Sequence, residues 1–60
     1  MDNNENFFKT YANLPLNMRD QIVLVLDGEP ITWRVANLEI AEDTANGKRI
    51  SRKLIDLEII

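Results

Sequence analysis

The fold of this chain is decided by residues 22–31, which read IVLVLDGEPI. The first five are apolar and rich in β-branched side chains, a pattern that favours a strand. Asp27-Gly28 then stops the run. Asp-Gly between apolar residues is among the strongest local signals for a β-hairpin, because a type I′ turn needs positive φ at both central positions. The return strand is predicted over residues 29–31 or slightly further. It is short or lies at an edge, because Pro30 has no N–H to donate to a ladder.

A helix is predicted before the hairpin, from Asn3 to Leu14, because apolar residues recur there at helical spacing. Its N-cap is expected to be one of three short polar residues, Asp2, Asn3 or Asn4. Pro15 ends this helix, since the residue before a proline disfavours helical geometry. Residues 16–21 form a connector with room for one helical turn.

The segment 31–36 after the hairpin can be interpreted in two ways. Ile31, Trp33 and Val35 alternate with polar residues, which favours a longer strand. Thr32 is also a good N-cap, which favours a helix start. We expect a helix from Trp33 to Thr44, followed by a C-cap and turn at Asn46-Gly47.

A last helix is predicted from Lys48 to Leu57. Its apolar face carries Ile50, Leu54 and Leu57, whereas Ile55 lies off that face. The predicted fold class is therefore α+β: an N-terminal helix, a β-hairpin turning at Asp27-Gly28, and two C-terminal helices.

The composition predicts one small soluble domain over residues 1–60. The hydrophobic fraction is 45%, the charged fraction is 28%, and there are only two Gly and two Pro, so an ordered globular chain is expected. There is no signal-peptide pattern, and the longest apolar run is far too short to span a bilayer. We expect a cytoplasmic protein without a membrane segment.

Enzymatic chemistry is not expected from this chain. It contains neither Cys nor His, so disulfides and the usual zinc ligands are absent and Ser or Thr lack the usual activating base. Two glycines cannot build a phosphate-cradling loop. The carboxylate pairs Asp27/Glu29 and Glu42/Asp43 are expected to be exposed or to diverge, so neither predicts a catalytic dyad. No cofactor and no metal site are predicted.

The first strand suggests a protein partner, because it is apolar on both sides. Strict alternation places Val23 and Val25 on one face and Ile22, Leu24 and Leu26 on the other. A strand with one face in water should alternate polar and apolar residues. Either the helices cover both faces, or a second copy covers one of them, or strands of two copies pair across a two-fold axis. A two-stranded sheet is marginal alone, so we expect a homodimer. The candidate protein interface consists of Val23, Val25, Trp33, Ile55, Ile59 and Ile60.

The basic residues suggest an alternative. Net charge is −3, yet four of the seven basic residues lie close together, at Lys48, Arg49, Arg52 and Lys53. They can form a solvated face that pairs with the acidic residues Glu39, Glu42 and Asp43, or contact nucleic acid with Ser51 on a phosphate, or bind an acidic protein surface. Residues 50–60 resemble the end of a winged-helix recognition helix, and that resemblance implies nucleic-acid contact.

We therefore expect a small non-enzymatic protein-interaction module, with a second copy or another protein as its partner. The alternative is a nucleic-acid-binding or regulatory protein that uses the basic residues 48–53. Nucleic acid is the less favoured partner, because the net negative charge opposes it.

Overall fold

The computed structural model describes residues 4–60. Within them lie α1 (Asn4–Ala12), β1 (Ile22–Leu26), β2 (Glu29–Thr32), α2 (Trp33–Ala41) and α3 (Ala45–Asp56). The connector carries one 3-10 turn, Leu16–Met18. The predicted α+β arrangement of helix, hairpin and two helices is confirmed. Two of the predicted caps of α1, Asp2 and Asn3, lie outside the described residues.

The hairpin forms because its turn has the required backbone. Asp27 and Gly28 have φ values of 52° and 82°, both positive as a type I′ turn needs. β1 and β2 are antiparallel, and beyond the turn Val25 lies opposite Pro30. Asp27-Gly28 therefore sets the register at the end of the hairpin that is nearest the turn.

A β-bulge changes the register further from the turn. Ile22 lies opposite Thr32 and Leu24 lies opposite Ile31, so Val23 is an extra residue on β1. Strict alternation would place Val23 and Val25 on the same face. Instead Val23 packs against the core, whereas Val25 is exposed.

The ambiguity at 31–36 is resolved by a cap. β2 continues to Thr32 and α2 begins at Trp33. The Thr32 hydroxyl accepts a hydrogen bond from the backbone N–H of Val35 at 3.1 Å. One residue thus ends the strand and caps the helix, which explains why the sequence carries both signals.

α2 ends at Ala41, three residues before the predicted end at Thr44. Asp43 adopts a left-handed backbone with φ of 55°. The N–H of Asp43 bonds to the Ile40 carbonyl at 3.1 Å, and the N–H of Thr44 bonds to the Glu39 carbonyl at 3.2 Å. This pair of bonds is a Schellman motif, with aspartate where glycine is usual.

The predicted C-cap and turn at Asn46-Gly47 is wrong, because both residues lie in the first turn of α3. Thr44 caps this helix, and its hydroxyl accepts from the N–H of Gly47 at 2.9 Å. Gly47 is buried, and a Cβ at this position would overlap the backbone carbonyl of Glu39. Glycine is needed here because the start of α3 crosses α2 at backbone contact.

The core draws on α1, α2, α3 and β1. Its buried apolar residues are Phe7, Leu24, Ala36, Ile40, Ile50 and Leu54. The rings of Tyr11 and Trp33 stack near Phe7, with centroid distances of 6.0 and 6.1 Å. Burying each large side chain of this kind stabilises the fold by about 1.5–3 kcal/mol.

The C-terminal residues turn back onto this core. Leu57, predicted on the apolar face of α3, is 53% exposed because the helix ends at Asp56. Glu58 is left-handed, with φ of 59°, and the N–H of Ile59 bonds to the Leu54 carbonyl at 2.9 Å. A second Schellman motif therefore directs Ile59 and Ile60 to the core.

Two neighbouring residues join the connector to α1 and to α2. The Arg19 guanidinium lies 4.5 Å from the centre of the Tyr11 ring and donates to the Tyr11 carbonyl at 3.3 Å. Asp20 pairs with Arg34 at 2.8 Å. The hydrogen bond from Arg34, and then its positive charge, lower the pKa of the Asp20 carboxyl. Both side chains are well exposed, so this pair orders the connector more than it stabilises the fold.

Candidate functional site

One face of the hairpin is left uncovered by the helices. The bulge places Ile22 and Val25 on the same side as their partners Thr32 and Pro30, and we call these four residues the outer hairpin face. Ile22 is 58% exposed and Val25 is 52% exposed. Leu24, which points to the opposite side, is only 5% exposed. The three helices thus cover one face of an apolar ribbon and leave the other in water.

Five of the six predicted interface residues are half-buried, and the sixth is exposed. Four of them, Val23, Trp33, Ile59 and Ile60, are half-buried and pack against the core of their own chain. Ile55 is half-buried on α3, and Val25 lies on the outer hairpin face. Most of this predicted set therefore contributes to the monomer's own packing.

Sequence reasoning missed Ile22 as a surface residue. Alternation assigned it to the same side as Leu24, and only the bulge moves it to the side of Val25. A bulge at a residue as ordinary as Val23 leaves no local sequence signal. The bulge lies close to the point where β2 leads into α2, and there the N–H of Trp33 bonds to the Gln21 carbonyl at 3.1 Å.

The four clustered basic residues do form one surface. Lys48, Arg49, Arg52 and Lys53 line a shallow depression of about 410 Å³, whose other lining residues are Leu26 and Asp56. We call this depression the basic groove. Leu26 and the aliphatic stems of the basic side chains give the basic groove an apolar component.

Positive charge in the basic groove is only partly compensated. Arg49 pairs with Asp27 of the hairpin turn. Lys48 and Arg52, and likewise Arg49 and Lys53, are spaced four residues apart on α3, where like charges cost about 0.2–0.5 kcal/mol per pair. Among the described residues, the groove therefore holds four cations against two carboxylates: Asp27, which pairs with Arg49, and Asp56, which lines the groove.

The salt bridges considered for the neighbouring acidic residues do not form. Among residues 4–60, no ion pair joins Glu39, Glu42 or Asp43 to the basic groove. Glu39 instead accepts a hydrogen bond from the Thr44 hydroxyl at 2.6 Å. These acidic side chains do not neutralise the groove by direct pairing.

Ser51 is separate from the other predicted nucleic-acid contacts. It is buried, and its hydroxyl donates to the side-chain oxygen of Asn4 on α1 at 2.9 Å. Its structural role is to join α1 to α3 through two residues that are 47 positions apart in sequence. A phosphate contact from Ser51 would require this hydrogen bond to break.

A second depression lies on the other side of Arg49 and has the opposite charge. Asp27, Glu29 and Glu39 line it, together with apolar residues of the hairpin and α2. We call it the acidic cleft. In the part of the chain that the structure describes, no three acidic side chains lie close enough together to hold a metal ion. Its carboxylates limit how far a polyanion could extend beyond the basic groove.

None of the helices in residues 4–60 has the length and apolar character needed to cross a membrane. Comparisons with protein-family models, with curated protein sequences and with solved structures gave no significant match, so the case for a function depends on the outer hairpin face and the basic groove.

Proposed function

We propose that this chain is a small non-enzymatic protein-interaction module that pairs with a second copy of itself through the outer hairpin face. One observation carries the proposal: Ile22 and Val25 are each more than half exposed on a sheet face that no helix covers. Burying these side chains against their equivalents would remove apolar surface from water. A two-fold axis through the face would make the contact self-complementary.

The size of the chain supports this proposal. Sixty residues are close to the lower limit for a stable single core, and small domains often gain stability by oligomerisation. The sheet has two strands, and two-stranded sheets are marginal unless another layer packs on them. A second hairpin would supply that layer on the uncovered side.

The area of the outer hairpin face determines how strong a dimer we expect. Five residues by two strands cover about 17 by 10 Å. A standard interface removes about 800 Å² per partner, which would be about a fifth of the 4215 Å² that this chain exposes. The outer hairpin face alone is smaller than that. We therefore expect a weak dimer, with a dissociation constant in the micromolar range, rather than an obligate one.

Sedimentation equilibrium over a wide concentration range tests the proposal. The parent protein should dimerise, and Val25→Glu should be monomeric because it places a charge in the contact. Leu38→Glu is a matched control, because Leu38 is 55% exposed on α2, which lies on the other side of the sheet. It should leave the dimer intact.

Circular dichroism should show that both variants remain folded. A parent protein that stays monomeric at high micromolar concentration would overturn the proposal. So would equal loss of dimer in the Val25 and Leu38 variants, because the contact would then not depend on the outer hairpin face.

A further inference from the structure

The basic groove has the features of a binding surface for an anion. Lys48, Arg49, Arg52 and Lys53 are all exposed, and within residues 4–60 Arg49 is the one of the four that forms an ion pair, with Asp27. The groove also offers apolar surface at Leu26, between the hairpin and α3. A cationic rim around an apolar floor matches a ligand that carries both negative charge and an apolar group.

We propose that the basic groove binds a short acidic segment of another protein. Carboxylates of the segment would pair with the Lys and Arg side chains at the rim. An apolar side chain between those carboxylates would pack on Leu26 and on the aliphatic stems of the basic residues.

The surroundings of the groove favour a short segment over nucleic acid. Double-stranded DNA carries one negative charge about every 1.7 Å along its axis, so it would continue past the groove in both directions. Asp56 lines the groove itself, and the acidic cleft with Asp27 and Glu29 lies immediately beyond Arg49. The chain as a whole carries a net charge of −3. A short acidic segment can end before it meets these carboxylates.

This surface is distinct from the one proposed for dimerisation. Leu26 lies on the helix-covered side of the hairpin, whereas Ile22 and Val25 lie on the outer hairpin face. A dimer formed through the outer hairpin face would therefore leave the groove of each copy open. The two proposals can fail independently.

Fluorescence anisotropy with a labelled peptide tests the groove. The probe is a short peptide with glutamates on both sides of a central leucine, and a matching peptide with glutamine in place of glutamate serves as its control. We expect binding of the acidic peptide only, stronger at low salt than at physiological salt.

Two single substitutions, each of which removes one exposed cation, distinguish peptide binding in the groove from general electrostatic attraction to the protein. Arg52→Gln should weaken peptide binding about threefold or more, because Arg52 lies in the groove. Lys9→Gln on α1 should have no comparable effect, because Lys9 lies outside it. Lys53→Gln repeats the groove test if Arg52→Gln impairs folding.

Three results would overturn the proposal. The first is no binding of the acidic peptide even at low salt. The second is equal weakening by the Arg52 and Lys9 variants, which would indicate attraction without a site. The third is tighter binding of a duplex or single-stranded oligonucleotide than of the peptide, with the same dependence on Arg52, which would assign the groove to nucleic acid.

Discussion

The two glycines of this chain lie in contrasting surroundings. Gly28 is exposed at the hairpin turn, with φ of 82° and open space where a Cβ would point. Gly47 is buried in α3, where a Cβ would overlap the carbonyl oxygen of Glu39. At Gly28 the chain needs a backbone conformation, and at Gly47 it needs space. Replacing glycine therefore destabilises the fold for a different reason at each of the two positions.

Gly47→Ala should have the largest effect on stability. Overpacking a tight contact costs about 1–3 kcal/mol or more, and the opposing group here is backbone, which cannot rotate away. The higher helix propensity of alanine offsets only about 1 kcal/mol of this cost. A domain of this size has roughly 3–9 kcal/mol of stability in all. We expect urea unfolding to show a net loss of about 2 kcal/mol, or a protein that does not fold.

Asn46→Ala is the matched control, because Asn46 is exposed in the same turn of α3. It should change stability little. If Gly47→Ala were as stable as the parent protein, α2 and α3 would be able to move apart enough to accommodate a Cβ. Lack of space would then not be the reason for glycine at this position.

Gly28→Ala should have a smaller effect. A left-handed conformation costs an ordinary residue about 1–2 kcal/mol. Alanine also lowers the conformational entropy of the unfolded chain, which stabilises the folded state by about 0.4–1 kcal/mol. We expect a net loss of about 1 kcal/mol in urea unfolding. Gly28→Asn should lose less, because asparagine tolerates positive φ. Equal losses for alanine and asparagine would show that conformation is not what Gly28 supplies.

Asp43→Gly should have the smallest effect, and it should be stabilising. Asp43 occupies a left-handed C-terminal position where glycine is usual. Its negative charge opposes the dipole at the end of α2 but favours the dipole at the start of α3, so these two charge effects offset each other. We expect a gain of about 0.5–1 kcal/mol in the free energy of unfolding. Asp43→Asn separates the backbone effect from the charge effects, because it removes the charge and tolerates the same φ. A loss of stability in both variants would mean that the Asp43 carboxylate makes a favourable contact.

These positions also show which parts of the fold were open to sequence reasoning. The turn at Asp27-Gly28 was predictable because its requirement is local: two adjacent residues must have positive φ. The role of Gly47 was not, because its requirement arises only where α3 meets α2. Asn-Gly favours a turn in isolation, and the hydroxyl of Thr44 instead caps a helix at the same place.

The same distinction applies to the two candidate surfaces: groupings within one element were predictable from the sequence, and contacts between elements were not. Spacing along α3 was enough to group the four basic residues, because side chains four apart share a helix face. It could not place Leu26 beside them or link Ser51 to Asn4, since both contacts join separate elements. On the outer hairpin face, Val25 was predicted and Ile22 was not, because the bulge at Val23 changes the side of the strand on which Ile22 lies.

The hydrogen bond between Ser51 and Asn4 has a consequence for the order of folding. The hairpin and the α2–α3 pair each join segments that are neighbours in sequence, and such contacts form quickly. α1 must close the longest loop to place Asn4 beside Ser51, 47 residues away, while Phe7 enters the core. At nine residues it is too short to be stable in isolation. We therefore expect α1 to dock last, and its amide hydrogens to exchange with solvent sooner than those of α3.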